Sequence, residues 1–153
     1  MIKVQQEPFD VGAEFAKLKG QRTDIGGTAI FVGSVRDISQ GTDISSMTLE
    51  HYPGMTEKAL SDIEAEARAR WPLDDVLIIH RYGTLEIGED IVLVITCSAH
   101  REAAFEACEF LMDWLKTKAP FWKLESGSTG TQWVEAKASD DLATARWGSP
   151  KAE

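Results

Sequence analysis

Signatures of metal, nucleotide and disulfide-based function are missing from this sequence. Two cysteines, Cys97 and Cys108, and three widely spaced histidines occur among 153 residues, so neither a disulfide framework nor a metal-ligand cluster is indicated. The patterns G-x-x-x-x-G-K-[ST], G-x-G-x-x-G, H-E-x-x-H, C-x-x-C and G-x-S-x-G do not occur. Metal, nucleotide and serine-hydrolase sites are therefore not predicted.

Positive charge is also scarce. Lys and Arg number 16 against 25 Asp and Glu, a net charge of −9, which argues against a nucleic-acid partner. No apolar run approaches the roughly 20 residues of a membrane span, and the opening MIKVQQEPFD lacks the apolar region of a signal peptide. We therefore expect a cytoplasmic protein. Any cluster of basic residues in it is an exception to the overall negative charge.

The length fits a single domain covering residues 1–153. Apolar periodicity, together with proline and glycine breaks, predicts four helices and a series of strands in mixed order, which indicates the α+β class. The predicted helices are 11–19, Met55–Trp71 and His100–Lys118, with a short last helix at Asp141–Trp147 capped by Ser139 or Asp140. The predicted strands are Ile2–Gln5, Thr28–Val35, Met47–Tyr52, Val76–His80, Ile91–Ser98, Phe121–Glu125 and Gln132–Ala136, with Asp37–Asp43 and Gly83–Asp90 as connections.

The main chemical feature is a basic cluster at the end of the second long helix. Lys116, Lys118 and Lys123 bracket the segment Ala119-Pro-Phe-Trp. A solvated helix end explains Lys118 well, but it explains Lys123 poorly, because Lys123 follows two large apolar residues. Lysines that are close together and partly desolvated lower one another's pKa, which makes a free amine available as a base or nucleophile.

Two further basic positions are candidates for anion binding. His100 and Arg101 open the long helix, where unpaired backbone N–H groups and the helix dipole favour a phosphate. The alternative is that His100 only caps the helix and that Arg101 faces solvent. Arg36 follows a strand in the sequence V-R-D, although an isolated Arg–Asp pair is usually a surface salt bridge.

The remaining cysteines and histidines are interpreted as structural. Cys97 lies in an apolar strand and Cys108 on an apolar helix face, which is typical of small buried hydrophobic residues. His51 and His80 lie in predicted strands and are interpreted as packed or hydrogen-bonded in the fold.

Five segments resemble the large subunit of molybdopterin synthase, in that family's order. The pair H-Y-P-G-M and K-x-x-A-P-F-W-K is the most specific part of the resemblance, which extends from about residue 3 to residue 147. The segments are F-V-G-S-V-R-D (31–37), L-E-H-Y-P-G-M-T-E-K-A-L (49–60), I-H-R-Y-G (79–83), S-A-H-R-E-A-A-F-E-A (98–107) and L-K-T-K-A-P-F-W-K-L-E (115–125).

The resemblance implies an α/β hammerhead fold with two long helices and a small β subdomain, and a homodimer. It also implies a partner, a small ubiquitin-like sulfur carrier whose C-terminal Gly-Gly ends in a thiocarboxylate. Two carriers on the dimer make a heterotetramer. Sulfur passes from the carrier to cyclic pyranopterin monophosphate, twice, to give the dithiolene of molybdopterin. No metal or cofactor is implied.

Carried over by motif, the resemblance implies catalytic lysines at Lys116 and Lys123. Two positions depart from the family pattern: Ser34 stands where a basic residue is common, and Leu124 where Lys or Arg often occurs. Backbone contacts are compatible with both departures, whereas charged side-chain contacts are not. The implied substrate-binding residues are Ser34, Val35, Arg36, His100, Arg101, Lys116, Lys123, Leu124 and Glu125.

Two rival functions are open from the sequence: a non-catalytic module that binds a pterin or an acidic tail, and a sulfurtransferase that uses Cys97 or Cys108.

The length of the predicted helix His100–Lys118 limits which residues of one chain can bind the same substrate. Arg101 and Lys116 lie 15 residues apart, which is about 22 Å at 1.5 Å per residue. A pterin monophosphate does not bridge that span, so the sequence predicts a homodimer in which each site takes residues from both chains.

Overall fold

The structure, a computed structural model, describes residues 1–39, 42–127, 130–134 and 138–148. Strands and helices are mixed along these residues without strict alternation. In chain order the elements are β1 (Ile2–Gln5), α1 (Val11–Lys19), β2 (Gly27–Ser34), β3 (Ile38–Ser39), β4 (Thr42–His51), α2 (Met55–Arg70), β5 (Leu73–Arg81), β6 (Gly83–Glu86), β7 (Asp90–Ser98), α3 (Arg101–Thr117), β8 (Phe121–Gly127), β9 (Gly130–Val134) and α4 (Ala138–Ala145).

A four-stranded sheet in the order β1-β5-β7-β2 forms the centre of the fold. Its two inner strands carry the apolar runs Val76–Ile79 and Ile91–Ile95, which are buried. Strands of this composition need cover on both faces. Helices α2 and α3 contribute to the core on one face, and α1 contributes Val11, Phe15 and Leu18 to the core on the other.

The two long helices predicted from periodicity are confirmed. Helix α3 buries Ala104, Cys108 and Leu111 against the sheet, as its apolar stripe indicates. Helix α2 buries Leu60 and Ile63 in the same core. None of the helices in the described ranges combines the length and apolar character that a bilayer span requires.

A second sheet contains β3, β4, β8 and β9, with β6 paired to β4. It meets the central sheet through a small core of Val35, Leu49, Leu85 and Ile91, all at most 9% exposed. The α+β prediction, including the smaller β unit, is confirmed.

Three local predictions were wrong. The segment Asp37–Asp43 is not a loop throughout: Ile38 pairs with Asp43 and Ser39 with Thr42, so the strand hydrogen bonds of β4 extend into it, while residues 40–41 lie outside the described residues. The connection Gly83–Asp90 is not irregular throughout: its first residues form strand β6, which pairs with β4. The last helix begins at Ala138, which places Ser139 and Asp140 inside its first turn and not at its cap. The predicted strand residues 135–136 lie outside the described residues.

Candidate active site

The connection between α3 and β8 is short, which brings Lys116 and Lys123 to one end of the molecule. The Lys118 backbone N–H donates to the Trp114 carbonyl as α3 ends, and Pro120 cannot continue the helix because it has no N–H to donate. The Phe121 N–H then donates to the Ala119 carbonyl over 2.8 Å, at the point where β8 begins. One lysine therefore lies in the last helical turn and the other is the third residue of the following strand.

Strand register determines the face on which Lys123 lies. Antiparallel pairing sets Lys123 opposite Leu49 and Phe121 opposite His51. Directly paired residues project from the same face of a sheet, and Leu49 is 1% exposed in the core between the sheets. Lys123 and Phe121 therefore lie on the face that looks toward the central sheet.

His80 is packed beneath this lysine pair. Its ring stacks on Phe121, with centroids 3.7 Å apart and planes 16° apart, and the residue is 7% exposed. His80 Nδ1 lies 2.8 Å from the Arg81 carbonyl oxygen. Because that oxygen can only accept, Nδ1 carries the proton and Nε2 holds the lone pair.

Both lysines contribute to the electrostatic environment of His80. Burial, followed by the positive charges of Lys123 and Lys116, lowers the pKa of His80 from 6.5 to about 4. The imidazole is therefore neutral near pH 7. Two ammonium groups from separate elements act on the same buried ring, so the structure brings Lys116 and Lys123 together.

Histidine and aromatic rings form the wall next to the lysines. The His51 ring centroid lies 4.4 Å from that of Tyr82 and 6.1 Å from that of Phe121. His51 Nδ1 is buried without a hydrogen-bond partner among the described residues. The sequence assigned His51 and His80 to the fold, and their packing agrees. Their closeness to the lysines was missed, because it arises from the pairing of β4 with β8 and from the packing of β5 against β8, which no spacing in the sequence reveals.

Lys118 is directed elsewhere. It lies with Glu66, Arg70 and Trp147 around a surface cavity between α2, α3 and the end of α4. The solvated-helix-end interpretation of Lys118 agrees with this placement. Lys118 therefore serves as a natural control for the two lysines near His80.

Arg36 lies at the same end of the central sheet as His80. Strand β2 ends where Ser34 pairs with Asp90, and β5 sets His80 opposite Val92 on the same strand, β7. The exposed Arg36 lies two residues after Ser34, and its side chain forms no hydrogen bond or ion pair with the described residues. Its basic side chain is available for an anion.

The two residues before Arg36 have structural partners of their own. Ser34 Oγ donates to Asp90 Oδ1 over 2.8 Å. The Val35 N–H donates to the Glu89 carbonyl, the Val35 carbonyl accepts from Gly88, and its side chain is 2% exposed. These contacts hold the strand exit in place, so Arg36 is the member of this segment best placed to reach a ligand.

Leu124 and Glu125 are described only in part. The backbone pairs Leu124 with Thr48 and Glu125 with Met47. The side chains of Leu124 and Glu125 lie outside the described part of the structure.

His100 and Arg101 lie at the opposite end of the central sheet. Gly27 pairs with Ser98 there, and a Cβ added at Gly27 would meet the Arg101 Cα at 3.1 Å. Strand β2 covers about 23 Å between this end and Ser34, and 15 residues of unbroken α3 separate Arg101 from Lys116. One chain therefore does not bring His100 and Arg101 to the lysines.

The cysteines are poor candidates for sulfur chemistry. Cys97 is 0% exposed and Cys108 8% exposed. Burial raises the pKa of the Cys97 thiol, and burial raises that of Cys108 to about 11. A protonated, enclosed thiol is a weak nucleophile, so the structure favours the lysines over the cysteines.

Fold and geometry together define an α+β protein in which two lysines, Lys116 and Lys123, lie near a buried histidine. The family model described as MoaE protein matches residues 4–118. A molybdopterin synthase catalytic subunit from Pseudomonas aeruginosa is 56% identical over 146 residues, covering 95% of this chain and 97% of the relative.

Solved structures agree with this match. A molybdopterin biosynthesis MoaE protein from Burkholderia ambifaria aligns with a TM-score of 0.83 and 52% identity, over 97% of this chain and 98% of that one. A molybdopterin synthase from Staphylococcus aureus aligns with a TM-score of 0.79 and 30% identity, over 86% and 95%. This chain belongs to the MoaE family, as the resemblance in its sequence predicted.

Proposed function

We propose that this chain is the catalytic subunit of a molybdopterin synthase, which transfers sulfur from the C-terminal thiocarboxylate of a small ubiquitin-like carrier to cyclic pyranopterin monophosphate. The observation that carries the proposal is the convergence of Lys116 and Lys123 on His80, in a chain 56% identical to a molybdopterin synthase catalytic subunit. The relative's name, a catalytic subunit, supports a second subunit as the sulfur source. The two unpaired, buried cysteines fit a reducing cytoplasm.

The chemistry divides between carrier and catalyst. The thiocarboxylate sulfur is already anionic, so the protein has no nucleophile to activate. Each sulfur attacks a pterin side-chain carbon and displaces an oxygen leaving group there, which gives a thioester. Water or an amine then takes the acyl group from that sulfur, so the carrier leaves as a carboxylate or an amide and the thiolate stays on the pterin. Lys116 is the general acid/base for these proton transfers or the transient acyl acceptor, and Lys123 stabilises the negative charge that develops beside it.

The neutral His80 supports this division of roles. A protonated His80 would add a further positive charge beneath Lys116 and Lys123 and would repel them. The buried imidazole is instead neutral near pH 7, because its pKa is about 4. The stacked Phe121 ring between the strands supplies an apolar wall. Lys116 and Lys123 therefore face an anionic substrate beside a neutral histidine and not beside a third cation.

Phosphate binding is assigned to the remaining basic residues. Arg36 reaches the site from the exit of β2. His100 and Arg101, about 22 Å away along α3, come from a second copy of the chain in a homodimer. Ser34, Val35, Leu124 and Glu125 provide further substrate contacts, through backbone groups at Ser34 and Leu124. Two carriers on this dimer give the heterotetramer.

The direct test mixes the purified protein with thiocarboxylated carrier and the pterin, and detects molybdopterin by fluorescence of its oxidised derivative. The matched control is the same carrier with an ordinary C-terminal carboxylate, which has no sulfur to give. We expect product only with the thiocarboxylate. Binding of carrier and pterin without any product would instead indicate a non-catalytic binding module.

A further inference from the structure

A fully buried threonine lies in the first turn of α2. Thr56 is 0% exposed, although most threonines lie at the surface. A hydroxyl in the interior needs hydrogen-bond partners, because an unpaired polar group costs free energy there. The Thr56 N–H donates to the Tyr52 carbonyl over 2.9 Å, and Thr56 Oγ1 accepts from the Tyr52 N–H over 3.1 Å. Thr56 is therefore fixed to the residue that directly follows β4.

The same hydroxyl also contacts the connection between α3 and β8. Thr56 Oγ1 donates to the Pro120 carbonyl over 3.4 Å, across 64 residues of sequence. Pro120 has no N–H to anchor this connection, and the Phe121 N–H is used locally, on the Ala119 carbonyl. Thr56 thus supplies a tertiary hydrogen bond at a point where the backbone has few hydrogen bonds of its own.

Tyr52 holds the next part of the same segment. Its ring meets the Trp122 ring edge-on, with centroids 4.2 Å apart. Pro120 and Trp122 flank Phe121, whose ring stacks on the buried His80. The segment that begins β8 is therefore held on both sides of Phe121 by two residues at the start of α2.

We propose that Thr56 is a positioning residue for the lysine pair: its hydroxyl fixes the Pro120 carbonyl and thereby sets the placement of Lys116 relative to Lys123. Pro120 lies four residues after Lys116 and three before Lys123, so a shift at Pro120 moves one lysine with respect to the other. A displacement of about 1 Å in an active site can cost ~10²-fold in rate. This inference deepens the proposed function and rests on it for the roles of the two lysines.

A second buried threonine separates positioning from simple stabilisation. Thr96 is also 0% exposed, and its Oγ1 donates to the Ala104 carbonyl over 2.6 Å. Ala104 lies 12 residues before Lys116 on α3, which is about 18 Å along the helix. Thr56 and Thr96 therefore both join separate elements through a buried hydroxyl, but only the bond from Thr56 ends between the two lysines.

The first experiment compares Thr56→Val with Thr96→Val. Each substitution replaces a buried hydroxyl by a methyl group and leaves a carbonyl unpaired, so both should lower the urea midpoint. With saturating thiocarboxylated carrier, kcat should fall by about 10- to 100-fold in Thr56→Val and stay near wild type in Thr96→Val. The KM for the pterin should change little in either variant, because Arg36 belongs to the segment after β2.

A second pair of variants isolates the oxygen atom. Thr56→Ser keeps the hydroxyl and loses the methyl group, whereas Thr56→Ala loses both. We expect Thr56→Ser to retain most of the wild-type kcat and Thr56→Ala to resemble Thr56→Val. This pair also decides the matter if Thr56→Val does not fold.

A spectroscopic measurement tests the same inference without turnover. The His80 ring lies 3.7 Å from the Phe121 ring, so its proton resonances depend strongly on the position of Phe121, the residue after Pro120. We expect these resonances to shift in Thr56→Val, to return in Thr56→Ser and to stay in place in Thr96→Val.

Wild-type kcat and unshifted His80 resonances in a folded Thr56→Val protein would overturn the positioning role. Equal losses of kcat in Thr56→Ser and Thr56→Ala would overturn it as well, because these variants differ by the oxygen alone. A wild-type protein that makes no molybdopterin would contradict the proposed function. The His80 resonances would then still show whether Thr56 positions the segment between the lysines.

Discussion

Arg101 and Lys116 occupy opposite ends of one uninterrupted helix, α3, 15 residues apart. Lys116 acts on the buried His80 together with Lys123, whereas Arg101 lies against Gly27 at the far end of the central sheet. A site that uses both residues must draw them from two chains.

Subunit mixing should restore activity to two inactive variants. Lys116→Ala and Arg101→Ala homodimers should each lose most turnover, because every site lacks one group. In a co-refolded heterodimer, one site combines the intact Lys116 of one chain with the intact Arg101 of the other. Turnover should then recover to about half of wild type per heterodimer, measured after separating the species by distinct affinity tags.

The control for mixing is a doubly substituted chain, Lys116→Ala with Arg101→Ala, paired with wild type. There both defects fall on one chain, so each of the two sites contains one defect and little activity is expected. No recovery in the first heterodimer, despite verified exchange of subunits, would contradict the shared site.

The lysines should differ in importance according to their placement. Lys116→Ala should lower turnover by ~10²–10⁴-fold, the usual contribution of a positioned acid or base, with fold and carrier binding nearly intact. Lys123→Ala should also lower it strongly. Lys118→Ala should have a much smaller effect, because Lys118 lies at the cavity with Glu66 and Trp147. Single-turnover rates with saturating carrier provide the measurement, and a larger loss in Lys118→Ala than in Lys123→Ala would show that the assignment is wrong.

Both cysteines should be dispensable for sulfur transfer. Cys97→Ala with Cys108→Ala removes two buried thiols with raised pKa values, and activity per folded molecule should be preserved. Loss of core packing should cost ~1–3 kcal/mol of the free energy of unfolding, measured by urea denaturation. A folded double variant that binds the carrier but transfers no sulfur would support the cysteine mechanism.

His80 should make the protein less stable in mild acid. Below pH 6.5 the unfolded chain protonates this imidazole, whereas the folded chain resists protonation until about pH 4. The unfolded state then binds more protons, so the free energy of unfolding decreases as the pH falls through this window. The difference between the two pKa values corresponds to about 3 kcal/mol.

Denaturation curves at several pH values provide the measurement. His80→Gln should be less stable at neutral pH, because it loses the Phe121 stack, but its stability should depend less on pH between about 4 and 6.5. His100→Gln, which changes an exposed histidine at the start of α3, should keep the wild-type dependence. An unchanged slope in His80→Gln would assign the acid sensitivity to other groups.

Much of the site was predictable because it is encoded locally. Lys116 and Lys123 belong to one short segment, and Pro120 ends the helix between them. The 15-residue separation of Arg101 and Lys116 also follows from helical periodicity alone, so the need for two chains is already implied by the sequence. The same holds for the burial of Cys97 and Cys108, which follows from their places in apolar strand and helix patterns.

The sequence by itself therefore determined the α+β class, the long helices and the basic residues, since helix period, chain breaks and local motifs act between near neighbours. Tertiary structure alone decided which residues meet. His51, His80 and Phe121 come from three separate strands, and only the pairing of β4 with β8 and the packing of the two sheets bring them under the lysines. The position of β2 at the end of the order β1-β5-β7-β2 is likewise decided by tertiary structure, because the sequence of a strand does not specify its neighbours in the sheet.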